Sequence, residues 1–89
     1  MLKTIRNRIN IKAEVDSSML DTISYNFLSG VLTLKFQDTA IYQYNEVPWK
    51  IAKLLFQAHR NNLSVGSVFH AVIRDRYDYA KLVIVPLSA

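Results

Sequence analysis

The apolar residues of this 89-residue chain recur at one spacing before Pro48 and at another after it. Upstream they alternate every second position, the period of a half-buried strand. Downstream they fall three and four apart, the period of a helix. A chain that makes this change in its middle builds strands first and packs helices on them afterwards. That order predicts an α+β domain.

From Ile5 to Val15 the odd positions are mostly apolar (Ile5, Ile9, Ile11, Ala13, Val15), and Arg6, Arg8, Asn10, Lys12 and Glu14 fill the even ones. The alternation predicts one strand with a basic, solvated edge or face. Asp16-Ser17-Ser18 favours a turn, and a second run from Leu20 to Leu28 ends at Ser29-Gly30, a hairpin corner. Leu32, Leu34 and Phe36 then alternate with Val31, Thr33 and Lys35. Gln37-Asp38-Thr39 breaks that run before Ala40 to Tyr44 resumes it. These segments predict a three-stranded antiparallel meander.

Pro48 is preset for a first helical turn, and Ile51, Leu54, Leu55 and Ala58 follow at i, i+3, i+4 and i+7. The spacing predicts a helix from about residue 48 to 60 with that stripe inward. Trp49, Ala52 and Phe56 make a second stripe, so the helix is apolar over a wide arc. It covers the sheet, and Trp49, Lys53 and Phe56 are candidate contacts for a protein partner. After His59 to Leu63 the pattern restarts with Ser64 as a cap and Val65, Val68, Phe69, Val72 and Ile73 as a shorter helix ending near Arg74-Asp75-Arg76. Tyr79 to Val85, stopped by Pro86, is short and β-branched enough for a buried strand. The expected order is β-βββ-αα-β in a single domain over 1–89, with an antiparallel meander sheet against two helices. A basic strand or arm occupies 1–14 and the last strand lies within 78–89.

Charge is distributed unevenly. The net charge is +4, and Lys3, Arg6, Arg8 and Lys12 all precede the first acidic residue, Glu14. The remaining 7 Lys and Arg match the 7 Asp and Glu, so the basic excess belongs to the N-terminal arm. A local excess of this kind is a footprint for phosphate. No cysteine is present, which excludes disulfides, thiolate metal sites and thiol nucleophiles. No apolar stretch has the length of a signal peptide or a membrane span, so a cytoplasmic location is expected.

Catalytic and metal patterns are absent. His59 and His70 share no helical spacing with a second ligand, so no metal is expected. Ser64, His70 and Asp75 lack a nucleophile elbow, and capping explains Ser64 better. Two glycines leave no phosphate-cradling loop. No cofactor and no enzymatic activity are expected.

Val15-Asp16-Ser17-Ser18 followed by Ile23-Ser24-Tyr25, the Leu32, Leu34, Phe36 strand, Tyr42-Gln43-Tyr44 and Val47-Pro48 form an ordered series. Ser64-Val65-Gly66-Ser67-Val68-Phe69-His70, Ile73-Arg74 and Tyr77 continue it. Together, over roughly residues 15 to 77, they resemble the KTSC domain, a module found at the C-terminus of some lysyl-tRNA synthetases and as free-standing small proteins. The chain departs from the family pattern where Asp38-Thr39 replaces a glycine turn, where extra residues precede Ser64, and where Val68 and His70 replace Tyr and Asn. The synthetase setting suggests RNA as partner.

A binding module is therefore expected. In the nucleic-acid reading, Arg6, Arg8, Lys12, Arg74 and Arg76 meet phosphates while Tyr42 and Tyr44, on one strand face, stack unpaired bases. The alternative is a protein-interaction or oligomerisation module, such as a small phage or mobile-element protein acting on a host protein, docking through the Trp49-Phe56 stripe or a strand edge.

Overall fold

The computed structural model describes residues 4–15 and 18–82. Six strands form one antiparallel sheet: β1 (Thr4–Arg6), β2 (Asn10–Glu14), β3 (Leu20–Asn26), β4 (Leu32–Phe36), β5 (Ile41–Tyr44) and β6 (Tyr79–Leu82). Their spatial order is their chain order, β1-β2-β3-β4-β5-β6. Helices α1 (Trp49–Arg60) and α2 (Val65–Val72) lie between β5 and β6 in sequence. The α+β class, the meander and the paired helices are those the periodicity predicts.

The N-terminal run differs from expectation, being two strands and not one. Asn7 breaks it: its side-chain Oδ1 accepts from the Ile9 and Asn10 amides at 2.8 Å each, closing an Asx turn that reverses the chain. Ile5 is accordingly 65% exposed on β1, whereas Ile11, Ala13 and Val15 enter the core.

Register assigns every strand residue to a face, because directly paired residues project to the same side. One row across the sheet reads Arg6, Ile11, Tyr25, Leu32, Tyr44, Tyr79. A second, two residues along, reads Thr4, Ala13, Ile23, Leu34, Tyr42, Lys81. The middle members of both rows are buried with Leu20, Ala52, Leu55, Phe56, Val65, Phe69 and Ile73, so the helices cover this side. The intervening row, Ile5, Lys12, Ser24, Thr33, Gln43, Ala80, belongs to the opposite, predominantly polar face.

Helix α1 begins at Trp49, with the Pro48 carbonyl accepting from the Ile51 and Ala52 amides. Its fully buried stripe is Ala52, Leu55, Phe56 and Ala58, while Ile51 and Leu54 are partly exposed. The helix is thus rotated toward the Ala52-Phe56 side relative to the predicted stripe. At the C-terminus Asn62 takes φ 57°, and the Leu63 amide reaches the Ala58 carbonyl, a Schellman stop in which Asn replaces the usual Gly. Ser64 caps α2 by accepting from the Ser67 amide at 3.1 Å, as its position predicts.

Two turns bear on the sequence pattern. Gly30 adopts φ +72° at the corner after β3, where the chain closes on the Asn26 carbonyl. Thr39, by contrast, is β-branched and sits at φ 73° between β4 and β5, at the turn where the family resemblance calls for glycine. Left-handed backbone is strained for such a residue. Thr39→Gly is therefore expected to raise unfolding free energy by about 1 kcal/mol after allowing for the added freedom of the unfolded chain. Urea denaturation checks it, and an unchanged midpoint would refute the strain.

Strand β6 departs from the expected buried strand. All four of its residues are exposed, with Tyr79 at 56% and Leu82 at 42%, because it pairs with β5 alone and forms a sheet edge. Val83 to Val85, and Asp16 and Ser17 of the predicted turn, lie outside the described residues.

Candidate functional site

Where β5, β6 and α2 meet, a cleft of about 310 Å³ opens on the helix-covered side of the sheet. Alternation along β5 puts Tyr42 and Tyr44 on that side, and the antiparallel register places Tyr79 opposite Tyr44 and Lys81 opposite Tyr42. The Tyr42 and Tyr44 rings stack with a 17° tilt at 6.3 Å between centroids. Tyr79 lies 5.4 Å from Tyr42 and 5.3 Å from Tyr44. Phe36 meets Tyr42 edge-on at 5.2 Å, and Phe69 from α2 meets both Phe36 and Tyr44 edge-on at 5.7 and 5.8 Å. These distances and angles are the favourable ones for aromatic pairs.

Exposure grades the cluster. Tyr44 is buried at its base, Tyr42 is half-buried, and Tyr79 is open to solvent. Burial pushes the Tyr44 phenol up to about 12, with the Tyr79 and Tyr42 phenols and the Asp75 carboxylate acting in the same direction and Arg74 against them. Tyr44 therefore stays a neutral phenol at any physiological pH.

The rim is mixed in charge. The Lys81 ammonium lies 5.7 Å from the Tyr42 ring centroid, a cation-π contact. An Arg74 guanidinium nitrogen is 3.1 Å from His70 Nδ1, and Arg74 Nε is 4.0 Å from Asp75. Asp38 lines the opposite wall. This arrangement can receive a flat, apolar or π-rich group against exposed rings and offer cations beside it.

The structure disperses the residues singled out in the sequence. Tyr42, Tyr44 and Arg74 converge on the cleft. Arg76 is directed elsewhere, its Nε donating to the Ala71 carbonyl at 3.1 Å. Arg6, Arg8 and Lys12 belong to the β1–β2 hairpin, four to five strand intervals from β6 or roughly 19 to 24 Å at the usual strand spacing. Arg6 stacks over Phe27 and Trp49, its guanidinium 5.1 and 5.7 Å from their centroids. Lys12 lies on the opposite face of the sheet. Trp49 is half-buried against Tyr25, Phe27 and Phe56, and Lys53 is partly exposed. Phe56 is 4% exposed, so its ring fills the core and presents no surface for docking.

Sequence reading missed Tyr79 and His70 as members of the cleft and Lys81 as the cation beside Tyr42. Tyr79 and Lys81 do show period two, but which strand they pair with is fixed by register across two intervening helices. Among the described residues no group of three or more potential ligands is placed to hold a metal ion. No described helix is long and apolar enough to cross a membrane.

The KTSC domain family model matches residues 16–77, ending at the residue that precedes the cleft's Tyr79 by two. No curated protein matches the chain. The fold is similar to the crystal structure of a KTSC domain protein from Yersinia pestis, with a TM-score of 0.65 and 23% identity over 93% of this chain and 100% of that one. With most of its length matched by the family model and its architecture shared with a solved member, the chain belongs to the KTSC domain family.

Proposed function

We propose that the protein is a cytoplasmic, non-catalytic module that binds single-stranded RNA and seats an unpaired base against Tyr79 in the cleft. The observation that carries this reading is the three-tyrosine cluster, with rings 5.3 to 6.3 Å apart and the outermost ring 56% exposed. A buried Tyr44 and a half-buried Tyr42 hold Tyr79 in place, so stacking on it costs little ordering. Base stacking on such a ring contributes about 1–3 kcal/mol, and Arg74 and Lys81 stand ready for the adjoining phosphates. His70 and Asp75 are both engaged with Arg74, which supports binding over catalysis. Arg6, Arg8 and Lys12 are too distant to serve the same nucleotide, and contribute long-range attraction instead.

Fluorescence anisotropy with a labelled oligouridylate tests the proposal. Binding should be saturable at low salt, with log K falling against log salt at a slope near −1.4 for two phosphates neutralised. Tyr79→Ala should weaken it by about tenfold or more while leaving the thermal midpoint nearly unchanged, since the ring is largely solvated. Absence of saturable binding, or an unaltered Tyr79→Ala affinity, refutes the proposal. Salt-insensitive self-association would turn the assignment toward a protein partner.

A further inference from the structure

At the opposite end of the sheet a second recess, of about 360 Å³, lies between β1 and the last turn of α1. Thr4, Arg6, His59 and Arg60 line it over a floor of Ile11 and Phe56. Unlike the tyrosine cleft it has no carboxylate in its wall. Among the described residues Arg6, His59 and Arg60 form no ion pair. His59 and Arg60 by themselves have an ordinary explanation, because a helix C-terminus favours cations in its last turn. That explanation does not extend to Arg6, which comes from a separate strand and is steadied by Phe27 and Trp49. Stacking occupies the faces of a guanidinium and leaves its N–H edges for an acceptor.

From this geometry we infer that the recess is a phosphate-binding site, in which Arg6 and Arg60 supply the charge and His59 and the Thr4 hydroxyl supply further donors. Two arginines match a dianionic phosphate in charge, and their planar forks suit its oxygens. The inference does not depend on base binding in the tyrosine cleft, which lies at the far edge of the sheet. The phosphate belongs either to a free phosphomonoester, a dianion that both arginines neutralise, or to the monoanionic backbone of a nucleic acid, and in each case the arginines donate to its unesterified oxygens.

Inorganic phosphate titrated into isotopically labelled protein at low ionic strength, followed by NMR of the His59 ring and the Arg6 and Arg60 Nε groups, tests it. Saturable shifts confined to these groups are expected, with affinity reduced about tenfold or more in Arg60→Gln and in Arg6→Gln. Both side chains are exposed, and a circular dichroism melt confirms that each variant is folded. An oligouridylate without terminal phosphate is the second titrant. If it moves the same resonances, the source is a nucleic-acid backbone; if phosphate alone does, the source is a phosphomonoester. The site is refuted if neither titrant gives saturable shifts there, or if both variants bind phosphate as the parent does.

Discussion

Phe69→Ala is expected to destabilise the fold by about 3–5 kcal/mol, the cost of deleting a buried aromatic ring and leaving a cavity. Phe69 is 4% exposed and is the point at which α2 grips the sheet, edge-on to Phe36 of β4 and Tyr44 of β5. Helix α2 has eight residues, too few to be stable unless packed. Loss of this anchor therefore removes the reason for the helix as well as the ring itself. A domain of this size has only about 5–15 kcal/mol in hand, so the variant should be near unfolding at ambient temperature. Urea denaturation provides the measurement, with Phe69→Leu as the milder control because it retains most of the apolar volume. A loss below about 1.5 kcal/mol for the alanine variant would mean that α2 is held by other contacts.

Strong alkali should weaken the protein through Tyr44. Its phenol ionises near the ordinary value of 10.0 when unfolded but only at about 12 when folded. Between these values the folded state retains a proton that the unfolded state has released. Stability is thus whole below pH 10 and falls as pH rises through about 12. Two units set an upper bound of roughly 3 kcal/mol at the end of that window, and solvent screening of the phenol lowers it. Other phenols and lysines also titrate there, so the informative quantity is the difference between the parent and Tyr44→Phe. The variant, which has no phenolic proton to lose at this position, should show a shallower alkaline decline. Parallel declines would show that the Tyr44 environment does not hold the proton.

The periodicity alone predicted most of the architecture, for a physical reason. Strand and helix periods are imposed by one side being buried, and at Leu32-Leu34, Ala52-Leu55-Phe56 and Val65-Phe69 the buried side is visible in the residue types. The misread elements are those where a local polar group or a distant pairing decides. Asn7 turns the N-terminal run with a side-chain hydrogen bond, while the alternation around it continues as though the strand were whole. Phe56, predicted as a docking contact, is drawn into the core by the rotation of α1. The C-terminal run reads as buried from its β-branched composition, yet in the described residues it is an edge with a single neighbour.

The candidate site shows the same division. Tyr42 and Tyr44 were legible as a pair, because two residues on one strand necessarily share a face. Tyr79 lies close to Arg74, Arg76 and Tyr77 in sequence. The β5–β6 ladder separates that group, bringing Tyr79 to the tyrosines while Arg76 turns back to α2. The basic arm and the aromatic face, joined in a single interface by the sequence reading, occupy opposite edges of the sheet.

The strand order has a consequence for how the cleft comes and goes. Every neighbouring pair from β1 to β5 is joined by at most five residues, but β5 and β6 are joined through both helices. Closing that ladder brings together segments far apart in sequence, so its loop entropy is the largest in the sheet. Tyr79, the exposed member of the three-tyrosine cluster, arrives with it. Opening β6 would dismantle the cleft while leaving the meander and its buried core assembled, a partial opening with its own free energy. Any ligand that requires Tyr79 and Tyr42 together binds the closed form alone, and its binding energy is added to the β5–β6 ladder by mass action. Occupancy and edge closure are thus one coupled equilibrium.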